Sequence, residues 1–167
     1  KHLTNIDAHD ILCKIGEVVV SGGVRRSAMI SLSDLDDAEM RDAKKGAFYY
    51  SEPQRSIANN SAVYESRPNN VEFMDEWIAL MKSGSGERGI FNRGNLINTL
   101  PERRLEEFRT KKLMTGNRIT GVIGTNPCGE IILQSKQFCN LSEVIARADD
   151  TEEDLMRKIR IATILGT

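Results

Sequence analysis

Gly121-Val122-Ile123-Gly124-Thr125-Asn126-Pro127-Cys128-Gly129-Glu130-Ile131-Ile132-Leu133 sets two short apolar runs on either side of a polar centre. Apolar runs this short, bounded by Gly and Pro, suit strands better than a helix. Pro127 fixes its own φ, whereas Gly129 permits almost any φ. Between them, Cys128 is expected at the tip of a tight loop joining two strands, where one thiol can be lifted into a cavity. If that loop is extended, Asn126, Cys128 and Glu130 point the same way. A sulfur, a carboxylate base and an orienting amide on one face would form a reaction centre. The same pattern also suits a plain buried cysteine at a strand–turn junction. Pattern alone leaves both readings open.

Outward from this loop, short strand-like runs alternate with helical ones. Helical spacing of apolar residues runs over 6–20, 71–83 and 154–165. A shorter helix is expected over 34–43 with Ser33 as N-cap, and a charged one over 101–108. Thr151 or Asp150 is expected to cap the last helix, with Glu152 and Glu153 in its first turn. Strand candidates are 28–32, 61–65, 89–92 and 141–146, and 46–60 reads as irregular around Pro53. Helices between short strands predict an α/β fold with a parallel sheet or a barrel. The absence of an initiator Met, with helical signals almost at both ends, is expected of an internal fragment of a longer protein. The whole of 1–167 is read as one domain fragment, with no separate second domain.

Composition narrows the function. Of 167 residues, 40% are hydrophobic and 28% charged, as in a soluble globular unit. Lys and Arg total 23 against 24 for Asp and Glu, a net charge of -1. That balance, with aromatics at only 5%, argues against a nucleic-acid partner, which calls for a basic surplus and stacking platforms. No run approaches the ~20 apolar residues of a membrane span, so no membrane partner is expected. Three cysteines do not make a secreted disulfide scaffold. They fit a reducing cytoplasm.

Two of those cysteines invite chemistry. Cys139 follows Cys128 by eleven residues, and two thiols at one rim suggest redox work. Neither belongs to a CxxC pair or a Cys/His set with zinc spacing. Cys13 lies on the apolar stripe of the first helix and reads as core. His2 and His9 are far from Cys128 and Cys139 in sequence, so a Cys–His nucleophile pair has little support. A second constellation, Ser21-Gly22-Gly23-Val24-Arg25-Arg26-Ser27, pairs glycines that let backbone N–H groups approach an anion with arginines that bind phosphate bidentately. It matches neither a Walker A loop nor GxGxxG, and a helix end followed by solvated arginines fits it equally well. Ser83-Gly84-Ser85-Gly86-Glu87-Arg88-Gly89 reads as a flexible loop. Ala58-Asn59-Asn60-Ser61 is either a strand-entry turn or the polar lining of a pocket.

In order along the chain, Val18 to Ala28 around Gly22-Gly23-Val24-Arg25-Arg26-Ser27, then Asn59-Asn60-Ser61-Ala62-Val63, Gly86-Glu87-Arg88-Gly89-Ile90-Phe91-Asn92-Arg93, Asn126-Pro127-Cys128-Gly129-Glu130 and Cys139-Asn140-Leu141 resemble the catalytic chain of ribonucleotide reductases. The likeness covers nearly the whole chain. It is closest to the adenosylcobalamin-dependent class and, within that, to the ribonucleoside-triphosphate reductases. The short Cys128–Cys139 interval resembles the cobalamin class, whereas the di-iron class has a longer one.

The resemblance implies part of a ten-stranded α/β barrel, with a finger loop carrying a radical cysteine. It implies a thiyl radical on Cys128, a proton acceptor in Glu130, a ribose-binding amide in Asn126 and a reducing thiol in Cys139. Gly22, Gly23, Arg25, Arg26 and Ser27 would form the loop between effector and substrate. The implied cofactor is adenosylcobalamin. The implied partners are a ribonucleotide substrate, a deoxynucleotide or ATP effector and a thioredoxin-type reductant, in a monomer or homodimer. The thiol that pairs with Cys139, and the C-terminal cysteine pair that re-reduces the site, have no counterpart in these 167 residues. The chain alone is therefore expected to be inactive. The competing expectations are the large subunit of a di-iron ribonucleoside-diphosphate reductase and a nucleotide-binding module without redox chemistry.

Overall fold

The computed structural model describes residues 2–20 and 27–166. The fold mixes helix and strand, as the alternating patterns require. It divides into two compact units, Lys1–Ser135 and Lys136–Thr167.

The first unit opens with α1 (Asn5–Val20) and continues into β1 (Met29–Ser33). Two short helices, α2 (Ala38–Asp42) and α3 (Phe48–Ser51), and a 3-10 turn over Pro53–Ile57 lead to β2 (Ala58–Val63). Helix α4 (Asn70–Ser83) then crosses over to β3 (Gly89–Phe91). The three strands form a parallel sheet in the order β1-β2-β3. Parallel neighbours need a long crossover, which α4 supplies between β2 and β3. Helix α4 has the local chemistry expected of a well-made helix. The Asn69 side chain accepts from the Val71 and Glu72 amides at 2.9 Å each, and the Glu72 carboxylate accepts from the Asn69 amide at 3.2 Å. At the other end Gly84 takes φ 68°, the left-handed position that glycine occupies without steric cost.

Helix α2 starts four residues later than the pattern predicts. Asp37, not Ser33, is its N-cap and accepts from the Met40 amide at 2.9 Å. The preceding turn is held instead by arginines, because the Leu35 carbonyl accepts from both Arg41 and Arg88. Strand β2 begins three residues early, since its pairing with β1 starts at Met29 opposite Ala58. Asn59 and Asn60 are thus strand residues and not an entry turn.

The segment after α4, which reads as a flexible loop in the sequence, holds a buried ion cluster. The Arg88 side chain is 1% exposed and grips Glu76 of α4 with two hydrogen bonds of 3.0 and 2.8 Å. It also donates to Ser33 Oγ at 2.7 Å and to the Asp34 carbonyl at 2.9 Å. Arg41 adds a third bond to Glu76 at 2.5 Å. One guanidinium therefore ties the end of β1 to α4. Removing one partner from a buried pair strands the other charge, which costs ~3–5 kcal/mol. Arg88→Met is expected to lower unfolding stability by about that amount, read as a lower urea midpoint.

Downstream of β3 come a 3-10 turn over Arg93–Asn95 and the helices α5 (Leu96–Thr99) and α6 (Glu102–Thr110). Two small antiparallel hairpins follow. The first, β4 (Met114–Thr115) with β5 (Arg118–Ile119), turns through Gly116, and its strands are too short to leave a pattern in the sequence. The second joins β6 (Ile123–Thr125) to β7 (Ile132–Gln134). A core of Leu96, Phe108, Ile119 and Ile123 lies beneath these hairpins, with Phe91, Leu113 and Ile132 packed against it.

The second unit carries α7 (Glu152–Leu165). Thr151 caps it and exchanges hydrogen bonds with Asp154. The expected strand over 141–146 is not formed; the segment is irregular, with Leu141 and Ile145 largely exposed. A strand needs a hydrogen-bonded neighbour as well as apolar side chains. Here the Ile145 carbonyl accepts instead from Lys158 Nζ of α7, at 3.2 Å. Among the described residues no helix is long and apolar enough to cross a membrane.

Candidate active site

The β6–β7 hairpin pairs Ile123 with Gln134, Gly124 with Leu133 and Thr125 with Ile132. Its loop is residues 126–131, and Cys128 lies near the tip, outside any helix, as a free and exposed thiol. The base of the hairpin is fixed by burial, with Ile123 fully enclosed in the core. It is also fixed by Arg104, which donates to the Ile132 carbonyl at 3.0 Å.

The loop's internal bonds make Asn126 its organiser. The Asn126 amide donates to the Ile131 carbonyl at 3.1 Å, and the Asn126 Oδ1 accepts from the Ile131 amide at 3.0 Å. The Gly129 amide closes a turn onto the Asn126 carbonyl at 3.0 Å. That turn needs Gly129 at φ +85°, which glycine adopts freely and other residues adopt only under strain. The loop is therefore a compact turn and not an extended strand, so simple alternation does not put the three side chains on one face. Asn126 is only 5% exposed and faces its own loop, whereas Cys128 and Glu130 are exposed.

Outside the hairpin, Asn59 of β2 reaches the loop. Its Nδ2 donates to the Pro127 carbonyl at 2.7 Å. Its neighbour Asn60 points into the interior at 2% exposure, and Asn60 Oδ1 lies 3.1 Å from His9 Nε2. The amide oxygen can only accept, so Nε2 is the donor in this contact when it carries the ring proton. The Asn60 amide donates to the Glu87 carboxylate at 2.5 Å. Glu87 also accepts from the buried Lys44 at 3.0 Å, and Lys44 donates in addition to the Ala58 carbonyl. Beside His9, Asp10 and Arg55 form a two-bond ion pair at 2.7 and 2.6 Å. The Arg55 hydrogen bonds hold the Asp10 carboxyl below the usual carboxylate range. This polar layer under β2 is not legible in the sequence, where its one signal is the adjacent Asn59-Asn60 pair.

Cys13 completes that layer, fully buried with Sγ 3.7 Å from His9 Nδ1. Burial first, and then the Asp10 charge, push its thiol up to about 11. Only the thiolate is nucleophilic, so the expectation that Cys13 is a core cysteine stands. Iodoacetamide at pH 8 is expected to leave Cys13 unmodified in the folded protein and to label it only in denaturant, by mass-spectrometric mapping.

The structure thus brings Asn126, Cys128 and Glu130 into one six-residue loop. Cys139 belongs to the second compact unit, half-buried and free, on an irregular segment and not on a strand. Gly22, Gly23, Arg25 and Arg26 lie outside the described residues. Ser27 is described, and with His9, Gly16 and Ser31 it lines a cavity of about 660 Å³ between α1 and β1. Among the described residues no group of three or more His, Cys, Asp or Glu could hold a metal ion.

A parallel sheet and a hairpin tipped by an exposed free thiol define an α/β architecture with a candidate reaction centre. Over most of its length the chain is similar to ribonucleotide reductases. The relatives it matches are named adenosylcobalamin-dependent ribonucleoside-triphosphate reductases. The one from Lacticaseibacillus paracasei is 37% identical over 149 residues, covering 86% of this chain and 18% of the relative. The one from Lactobacillus acidophilus is 35% identical over 151 residues, and that from Lactobacillus leichmannii 35% over 149, each again spanning 18% of the relative. The chain therefore corresponds to less than a fifth of the length of these curated relatives. No protein-family model and no solved structure matches it.

Proposed function

We propose that this chain carries the radical-bearing loop of an adenosylcobalamin-dependent ribonucleoside-triphosphate reductase. The whole protein then reduces ribonucleoside triphosphates to 2′-deoxyribonucleotides for DNA synthesis, in the cytoplasm. The observation that carries this reading is a free thiol, Cys128, at the tip of a hairpin loop whose geometry is set by Asn126 and Gly129, in a chain similar to reductases of that name. On the same reading the parallel strands β1-β2-β3 are a part of the ten-stranded α/β barrel.

The residues take these roles. Cys128, as a thiyl radical, takes the hydrogen atom from C3′ of the ribose. Glu130 accepts the 3′-hydroxyl proton, which drives the 2′-hydroxyl out as water. Cys139 and a second thiol from elsewhere in the protein each give one electron and one proton and become a disulfide. Cys128 then returns the hydrogen atom to C3′, so the net change is one ribonucleotide and two thiols to one deoxynucleotide, one disulfide and one water. Asn126 Oδ1 already accepts from the Ile131 amide, and its NH2 group is the donor it offers to the ribose. Gly22, Gly23, Arg25, Arg26 and Ser27 couple a bound deoxynucleotide or ATP effector to the choice of substrate, and a thioredoxin-type dithiol restores the reduced site.

The cofactor's requirement of this chain is a thiol that is exposed and not tied up in a disulfide, and Cys128 meets it. When bound, adenosylcobalamin supplies the one-electron chemistry that removes the thiol hydrogen. The protein's share is to hold the sulfur in register and keep water out. The full-length protein, given a ribonucleoside triphosphate, adenosylcobalamin and a dithiol, is expected to form the deoxynucleotide. Absence of product with every ribonucleotide, under conditions where the protein is folded, overturns the proposal.

A further inference from the structure

The loop's internal hydrogen bonds shape it but do not aim it. Asn126 to Ile131 and Gly129 to Asn126 close the turn on itself, and both would survive if the whole hairpin tip swung as a unit. Among the described residues, one hydrogen bond ties segment 126–131 to an element outside its own hairpin: Asn59 Nδ2 to the Pro127 carbonyl, at 2.7 Å. That carbonyl belongs to the peptide unit that leads into Cys128, so the bond acts on the backbone next to the thiol.

Asn59 is mounted where such a bond can be stiff. It lies on β2, the central strand of the sheet, opposite Ile30 of β1. Side chains alternate faces along a strand, and a slip of one residue exchanges them all. Asn59 and Asn60 are the same amide, so nothing in their own chemistry decides which one meets the loop. The choice is made by their surroundings. Asn60 is held inward by His9 at its side chain and by Glu87 at its amide. Ala58 and Ala62, on the same face as Asn60, are 1% exposed. Asn59 is left facing out towards Pro127.

We infer that Asn59 is a positioning residue for the cysteine loop: through the Pro127 carbonyl it sets the direction in which Cys128 is presented. This rests on the reductase reading for its consequence in turnover, but the clamp itself is a statement about the loop alone. Misplacing a reacting group by about 1 Å costs on the order of 100-fold in rate. Loss of the clamp should therefore reduce kcat and leave substrate binding alone.

The experiment uses the full-length protein with Asn59→Asp, which keeps the shape but cannot donate, and Asn59→Ala, which removes the group without adding charge. Asn59→Gln, which keeps a donor on a longer arm, is the rescue variant. Hydrogen exchange of the Cys128, Gly129 and Glu130 amides is expected to rise about 3- to 10-fold in the Asp and Ala variants, the worth of one ordinary hydrogen bond. It should recover at least in part with Gln. Their kcat is expected to fall about 10- to 100-fold with KM unchanged and the same melting temperature. Exchange at residues 128–130 equal to wild type in both variants that lack the donor overturns the inference, as does an equal kcat loss in Gln and Asp. Cys128→Ser is run in parallel. If that control still forms deoxynucleotide, the role given to Cys128 has failed, and if the wild-type protein forms none, the reductase reading has failed, while the exchange measurement still decides the clamp.

Discussion

Cys128→Ser in the full-length protein is expected to leave deoxynucleotide formation at background. The substitution is close to isosteric, and Cys128 is exposed at the tip of a turn. The Asn126–Ile131 bonds and the Gly129 turn therefore have no reason to change. The loss is chemical. On the proposed mechanism, a serine O–H bond is too strong to be opened by the radical that opens a thiol S–H, so no radical would reach C3′. Deoxynucleotide analysis after prolonged incubation reads the effect, and hydrogen exchange over 123–134 shows that the hairpin persists. Product formed at the wild-type rate removes Cys128 from the mechanism.

Glu130→Gln is expected to fold normally and to slow reduction by ~10²–10⁴-fold, the usual contribution of a general base. The amide has nearly the carboxylate's shape but cannot accept the 3′-hydroxyl proton. Glu130 is exposed in the loop, so the change leaves no buried group unpaired and costs little stability. Single-turnover kinetics separate the slowed step from substrate binding. A change of about twofold would make Glu130 a structural residue of the loop.

Both residues stand out in the amino-acid sequence because the site lies within one short stretch. Pro127 and Gly129 act on their own backbone, and the apolar runs beside them need only each other to pair. The hairpin is therefore legible there, but the conformation of its tip is not. An extended loop and a closed turn share the same sequence, and the choice depends on whether Asn126 spends its amide on Ile131 or on something outside. In the folded chain it bonds Ile131.

What the amino-acid sequence determined by itself is everything governed by near neighbours: α1, α4 and α7 by their apolar period, the cap at Thr151 by a side chain three residues from its partner, and the hairpin around Cys128 by two apolar runs bounded by proline and glycine. What only the tertiary structure decided involves partners far along the chain. Arg88 reads as a solvated loop charge until Ser33 and Glu76 close over it. Asn59 and Asn60 are indistinguishable until His9 takes one and Pro127 the other. Residues 141–146 look like a strand, yet are irregular, and among the described residues no strand pairs with them. The physical reason is common to all three. Backbone preference and periodicity act over a few residues, whereas the cost of burying a charge or choosing a strand's face is set by groups that only the folded chain brings together.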